Sequence, residues 1–143
     1  MREAREFAGR LDEWIERQRR KREADRRQTR VRPDEEKRET IARARRELPA
    51  RLLELAACLG LSVTKVSVRN QRWRWGSCSP HGHICLNWRL VTMPGWVRDY
   101  VLIHELMHLR RPDHSRKFWK LVAEQCPDYE AARRWLHENG RSL

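Results

Sequence analysis

A chain of 143 residues has room for one domain with a modest core plus an appendage, and too little for two independent domains. Hydrophobic residues make up 39% of it and charged residues 36%, mean hydropathy is -0.93, and no run approaches the roughly 18 apolar residues of a membrane span. An integral membrane protein is excluded on that reading.

The net charge of +12 and sequence pI near 10.7 point to anionic partners, although charge speaks to association and not to fold. Basic and acidic residues number 18 and 12 in residues 1–51, and 14 and 8 in residues 52–143, so the excess is not a basic arm. The first residues, Met1 to Glu6, mix both charge signs without opening an apolar stretch, which argues against a secretory signal and for the cytoplasm. Four Cys in such a chain read as reduced thiols or metal ligands, not as a disulfide scaffold.

Phe7, Leu11, Trp14 and Ile15 make one short helical stripe, and Glu16 to Arg30 is nearly all charge, which reads as a solvated helical face. Pro33-Asp34-Glu35-Glu36 suits a helix N-terminus. The pattern runs on to Leu59, with Pro49 expected to kink or interrupt it. Leu52, Leu55, Ala56 and Leu59 form its buried stripe, and Gly60 stops it. Ser62 to Arg69 alternates as a half-buried strand, Gly76 to Gly82 is rich in turn residues, and His83 to Leu90 alternates again. A small antiparallel sheet is the expectation. Beyond Met93-Pro94-Gly95 an apolar helix is predicted from Trp96 to Leu109, ended by Pro112. Ser115 caps a further helix to Cys126 with Phe118, Leu121 and Val122 inward, and Asp128 caps the last, which ends near Gly140. Cys58 and Cys126 read as core packing, as do most of the seven Trp. Trp73-Arg74-Trp75 could instead offer a stacking surface to bases.

The chemistry lies on the apolar helix. His104-Glu105-Leu106-Met107-His108 fits H-E-x-x-H, in which two imidazoles one turn apart converge on one metal beside a carboxylate. Burying these groups without partners would be costly, and a metal offsets that cost. A catalytic zinc needs three protein ligands and an open position. His114, beyond the helix-ending Arg111-Pro112, is the candidate third, with Asp113 a rival. Its offset from His104 matches the metzincin signature, but Arg111 stands in place of the glycine and no Met follows Met107, so a Met-turn is impossible. Cys78, His81, His83 and Cys85 offer a second cluster, either a structural zinc loop or a plain hairpin with buried thiols.

Several runs appear in order: Arg74-Trp75-Gly76-Ser77-Cys78, Gly82 to Leu90 with Leu86-Asn87, Asp99 to Leu109, His114-Ser115 with Phe118-Trp119, and Pro127-Asp128-Tyr129. This series resembles the YgjP-like metallopeptidase family, relatives of the SprT-like zinc proteases, over roughly Leu52 to Leu136. The β-rich region that longer members place before these helices is not expected here, and Asp113 stands where members often have Asn. The resemblance implies an α+β, zincin-like fold. It divides the chain into a charged helical lead-in, 1–32, and a metallopeptidase domain, 33–143. It also implies Zn2+ held by His104, His108 and His114, with Glu105 as catalytic base.

The expected reaction is peptide hydrolysis by metal-activated water. Asn87, Tyr129 and Arg74 are candidates to steady the oxyanion, and the strand His83 to Leu90 could pair with an extended substrate. The expected partner is a peptide or protein, and no membrane partner is expected. Two other classes stay open. One is a zinc hydrolase of nucleoside triphosphates, with Arg74, Arg110 and Arg111 clamping phosphate. The other is a protein associated with nucleic acid, with or without DNA-directed proteolysis.

Overall fold

The computed structural model describes residues 13–21 and 33–143. Residues up to 37 group as one unit and residues 38–143 as another, and the site described below lies within the second. Residues 13–21 form a helix, α1, with Trp14 and Ile15 half-buried. Phe7, Leu11 and most of the charge run lie outside the described residues.

Helix α2 (Pro33–Leu59) opens with Asp34, Glu35 and Glu36 in its first turn, where negative charge meets the positive end of the helix dipole. It closes on Gly60 at φ +67. There the Leu61 N–H donates to the Ala56 carbonyl at 2.9 Å and the Gly60 N–H to the Ala57 carbonyl at 3.3 Å, the two bonds of a Schellman ending. Contrary to expectation, Pro49 does not interrupt it: the helix is one element of 27 residues. Proline removes the donor that would serve the Arg45 carbonyl, but Arg45 is exposed, so water can take that bond.

Ala44, Leu48, Leu52 and Ala56 are buried, one turn apart along a single face. Leu55 and Leu59 lie at its margin, half-buried, and Cys58 is exposed, which corrects the reading of Cys58 as a core residue. Cys126 is half-buried.

The sheet contains β1 (Lys65–Arg69), β2 (Gly76–Cys78) and β3 (His83–Asn87) in the order β1-β3-β2. It is mixed and not wholly antiparallel as expected: β1 runs parallel to β3 in the register Val66↔Ile84 and Val68↔Leu86, and β2 runs antiparallel to β3 with Ser77 opposite Cys85. The reason is the extra strand, β2, in the stretch expected to be turns. Two reversals of direction separate β1 from β3, so the outer strand and the central one finish parallel. The β2–β3 turn uses Gly82 at φ +83, a conformation glycine adopts without a Cβ penalty. Strand β3 ends earlier than expected, because the Asn87 side chain accepts a hydrogen bond from the Arg89 N–H at 3.0 Å and starts a 3-10 turn, Trp88–Thr92.

Helix α3 (Gly95–Met107) packs against β2, β3, the 3-10 turn, α4 (Arg116–Gln125) and α5 (Tyr129–Asn139). Its Val97, Tyr100, Val101, Leu102, Ile103, Leu106 and Met107 are buried, as its all-round apolar sequence requires. The core adds Ile84 and Leu86 from β3, Phe118 and Val122 from α4, and Trp135 from α5. Arg51 of α2 forks onto Asp99 of α3, with Nε 3.2 Å from Oδ1 and Nη2 3.0 Å from Oδ2. The Ser115 hydroxyl caps α4 by accepting from the Phe118 N–H, whereas Asp128 precedes α5 without a side-chain cap bond. No described helix is long and apolar enough to cross a membrane.

Candidate metal centre

His104 and His108 stand one turn apart on the same face of α3, near its C-terminal end. After Met107 the chain tightens: the N–H groups of His108, Leu109 and Arg110 each donate to the carbonyl three residues back, and Pro112 prevents a further turn. The chain then reverses through Asp113, whose Oδ1 accepts from the Ser115 hydroxyl at 2.7 Å and the Ser115 N–H at 3.4 Å. That small loop sets His114 back over the helix end. Asp113, the rival ligand, is therefore occupied by Ser115, a bond that holds its carboxyl below the usual carboxylate range.

The ligand atoms available on His104, His108 and His114 all lie within 4.8 Å of one another. The Nε2 atoms of His104 and His108 are 3.2 Å apart, close to the spacing of about 3.3 Å expected for two nitrogens 2.0–2.1 Å from one tetrahedral ion. Their other nitrogens are tethered from behind. His108 Nδ1 donates to the Arg111 carbonyl at 3.0 Å. His104 Nδ1 lies 3.3 Å from the Tyr100 hydroxyl, which accepts its proton when Nε2 is the metal-facing atom. Such bonds fix tautomer and ring orientation.

Phe118 stacks on His108, with centroids 4.3 Å apart and planes at 11°, and meets His104 edge-on. Trp119 lies over His114 at 6.1 Å. Burial, then the neighbouring His108 and His114, push His104 down to about 3, and burial also lowers His108. Both rings are thus neutral at ordinary pH, with the lone pairs a cation needs. The three imidazoles fit a zinc ion in donor type and spacing.

Glu105 is buried beside them, its side chain pointing towards β2. Burial pushes its carboxyl up to about 7, with Arg74 pulling the other way. This sets it near neutrality, where a group that must both accept and release a proton works best. Gly76 makes room for it. A Cβ at that position would lie 3.0 Å from Glu105 Cγ, 3.1 Å from Oε2 and 3.3 Å from the Cys85 carbonyl. Replacing Gly76 with Ala should therefore leave metal content unchanged while shifting Glu105 and lowering kcat/KM about ten-fold, a split read by elemental analysis alongside a peptide assay.

These groups open on a cleft of about 570 Å³ lined by Arg74, β2, Pro112, the three His and Glu105. Cys78 lies in its wall as a neutral thiol, pushed up to about 11 by burial and then by Glu105. The second cluster read from the sequence is the β2–β3 hairpin and gathers no metal set among the described residues. In it, His83 Nε2 lies 2.8 Å from the Ser67 hydroxyl and 3.6 Å from Cys85 Sγ. Asn87, a candidate for the oxyanion, instead donates to the carbonyls of Gln71 at 2.6 Å and Arg74 at 3.1 Å. Tyr129 stacks on Trp119. Arg74 alone of the three lines the cleft. The sequence reading missed Tyr100, the Arg111 carbonyl, Phe118 as a ring support and Gly76. The available signal was spacing, since Tyr100 precedes His104 by one helical turn.

A buried helix that carries two converging imidazoles, a third returned to it by a short loop, and a sheet edge across the cleft are together the layout of a metallopeptidase. The chain belongs to the YgjP-like family, whose metallopeptidase-domain model matches residues 36–139. It is also similar to the crystal structure of the metallopeptidase zymogen of Pyrococcus abyssi abylysin, at 26% identity and a TM-score of 0.53, over 64% of this chain and 90% of that one. No curated protein matches. The α+β fold expected from the sequence is the fold of this domain.

Proposed function

We propose that this chain is a zinc-dependent peptidase in which His104, His108 and His114 hold the ion and Glu105 is the general base. The observation that carries the reading is the convergence of three imidazole nitrogens within 4.8 Å beside a buried carboxyl in an open cleft. When bound, zinc on three neutral imidazoles lowers the pKa of its water to about 7 and polarises a carbonyl.

The chain's own groups do the rest. Glu105 takes the proton of the attacking water and delivers it to the leaving amine. Tyr100 and the Arg111 carbonyl keep the imidazoles facing the ion. The substrate strand is held by β2, not by His83 to Leu90 as the sequence suggested. Strand β3 is hydrogen-bonded on both sides, whereas β2 is an edge and Gly76, Ser77 and Cys78 line the cleft. An extended peptide added there gains backbone hydrogen bonds and lies across from Glu105.

The test is incubation of the zinc-loaded protein with a degenerate peptide pool, and separately with nucleoside triphosphates, before and after removal of the ion by a chelator. Peptide cleavage lost on chelation and restored by zinc is expected. Release of phosphate from triphosphates with intact peptides would overturn the reading.

A further inference from the structure

The metal cleft does not end at the imidazoles. At Arg74 it continues into a depression of about 530 Å³ that also takes in Arg72 and Arg141. At His114 it continues into a second, of about 460 Å³, bordered by Arg116, Lys120 and Arg133. Among the described residues, no acidic side chain lines either depression, and Glu105 is the one acid lining the cleft between them.

Several arginines elsewhere are matched. Arg51 pairs with Asp99 and Glu54, Arg43 with Glu47, and Arg98 with Asp99. The cations that line the cleft and the two depressions, Arg89 among them, make no salt bridge among the described residues. Two are also positioned by packing. Arg133 lies over the Trp119 ring, 4.5 Å from its centroid. Gly140 sits so close to Trp75 that a Cβ would meet its Cζ2 at 2.8 Å, and this contact brings the following Arg141 to the first depression.

We propose that the enzyme selects peptides with acidic side chains flanking the bond to be cut, held by these two arginine-lined depressions. The inference rests on the peptidase reading and names its substrate class. Arg74 immediately precedes Trp75 and strand β2, so a peptide paired along the free edge of β2 passes the guanidinium, whose fork matches a carboxylate. Isolated surface pairs are individually weak, and the selectivity comes from several cations outside any salt bridge meeting one short segment. A polynucleotide would also meet cations here, and Trp73, 94% exposed, lies beside the first depression. A peptide is favoured because each depression shares a wall residue with the cleft, Arg74 in the first and His114 in the second, and the cleft itself is lined by Gly76, Ser77 and Cys78 of the strand edge.

The experiment has two arms on the full chain. In the first, zinc-loaded protein is given matched peptides rich in Asp and Glu, neutral, or rich in Lys. Acidic peptides should be cut about ten-fold faster than neutral ones, and Arg74→Glu combined with Lys120→Glu should move the preference towards Lys-rich peptides. Cleavage with no acidic preference, or a double variant that slows all peptides equally, overturns the inference and leaves the peptidase reading standing.

In the second arm, the zinc-loaded Glu105→Gln protein binds fluorescein-labelled versions of the same peptides, so binding is read even where nothing is cut. Failure of cleavage with every peptide defeats the peptidase reading, whereas tighter binding of the acidic peptide still supports the recognition claim. Equal binding of acidic and neutral peptides, or displacement of the acidic peptide by stoichiometric oligothymidylate, overturns it.

Discussion

Glu105→Gln should keep the ion bound and lower kcat/KM by about 10²–10⁴-fold, the range ascribed to a positioned general acid–base group. The amide has the shape of the carboxyl and fits the same space beside Gly76, so fold and metal site are undisturbed, yet it cannot take a proton from water. Glu105 also lies outside the imidazole set that converges on one point, so its loss removes no ligand in the proposed arrangement. Metal content by elemental analysis and turnover of a cleaved peptide read the two effects separately. A variant with wild-type turnover would remove Glu105 from the role of base, and a variant that loses the ion would make it a ligand.

His114→Ala has the opposite signature. Two imidazoles on one helix remain, and zinc affinity should fall by more than about 100-fold, beyond the loss seen when a group that merely hydrogen-bonds a ligand is removed. The side chain is exposed and follows the end of α3, so the far-UV circular dichroism of the variant should match the wild type. Competition with a chelator of known affinity gives the number. Unaltered affinity would strike His114 from the ligand set and return Asp113 to consideration.

The pair on α3 was readable because helical geometry needs no tertiary information: residues four apart share a face, and an apolar run around them announces burial. Pro112 signalled the break that lets His114 fold back. The helix boundaries of α3, α4 and α5 were legible to within about two residues from Pro94, Ser115, Asp128 and Gly140.

What stayed hidden depends on partners distant in sequence. Strand β2 is three residues long, reads Gly-Ser-Cys and has no apolar run of its own; it is a strand because β3 pairs with it. The parallel pairing of β1 with β3 follows from that unseen strand, and so does the mistaken assignment of the substrate edge. Pro49 does not end the helix because the carbonyl it leaves unserved belongs to Arg45, an exposed residue within reach of water. Cys58 misled because one more apolar residue near a stripe does not have to lie on it.

The sheet has two outer borders, and they are unequal. Along β1 the terminal residues Lys65 and Arg69 are exposed while the three between them are partly covered, so a stray chain approaching that border meets a cation at each end, the usual deterrent to unwanted strand addition. The opposite border carries only Gly, Ser and Cys, with nothing to repel a visitor. On the proposed reading, a foreign segment is thereby guarded away from the blank side of the sheet and admitted on the side that faces Glu105 and the three imidazoles.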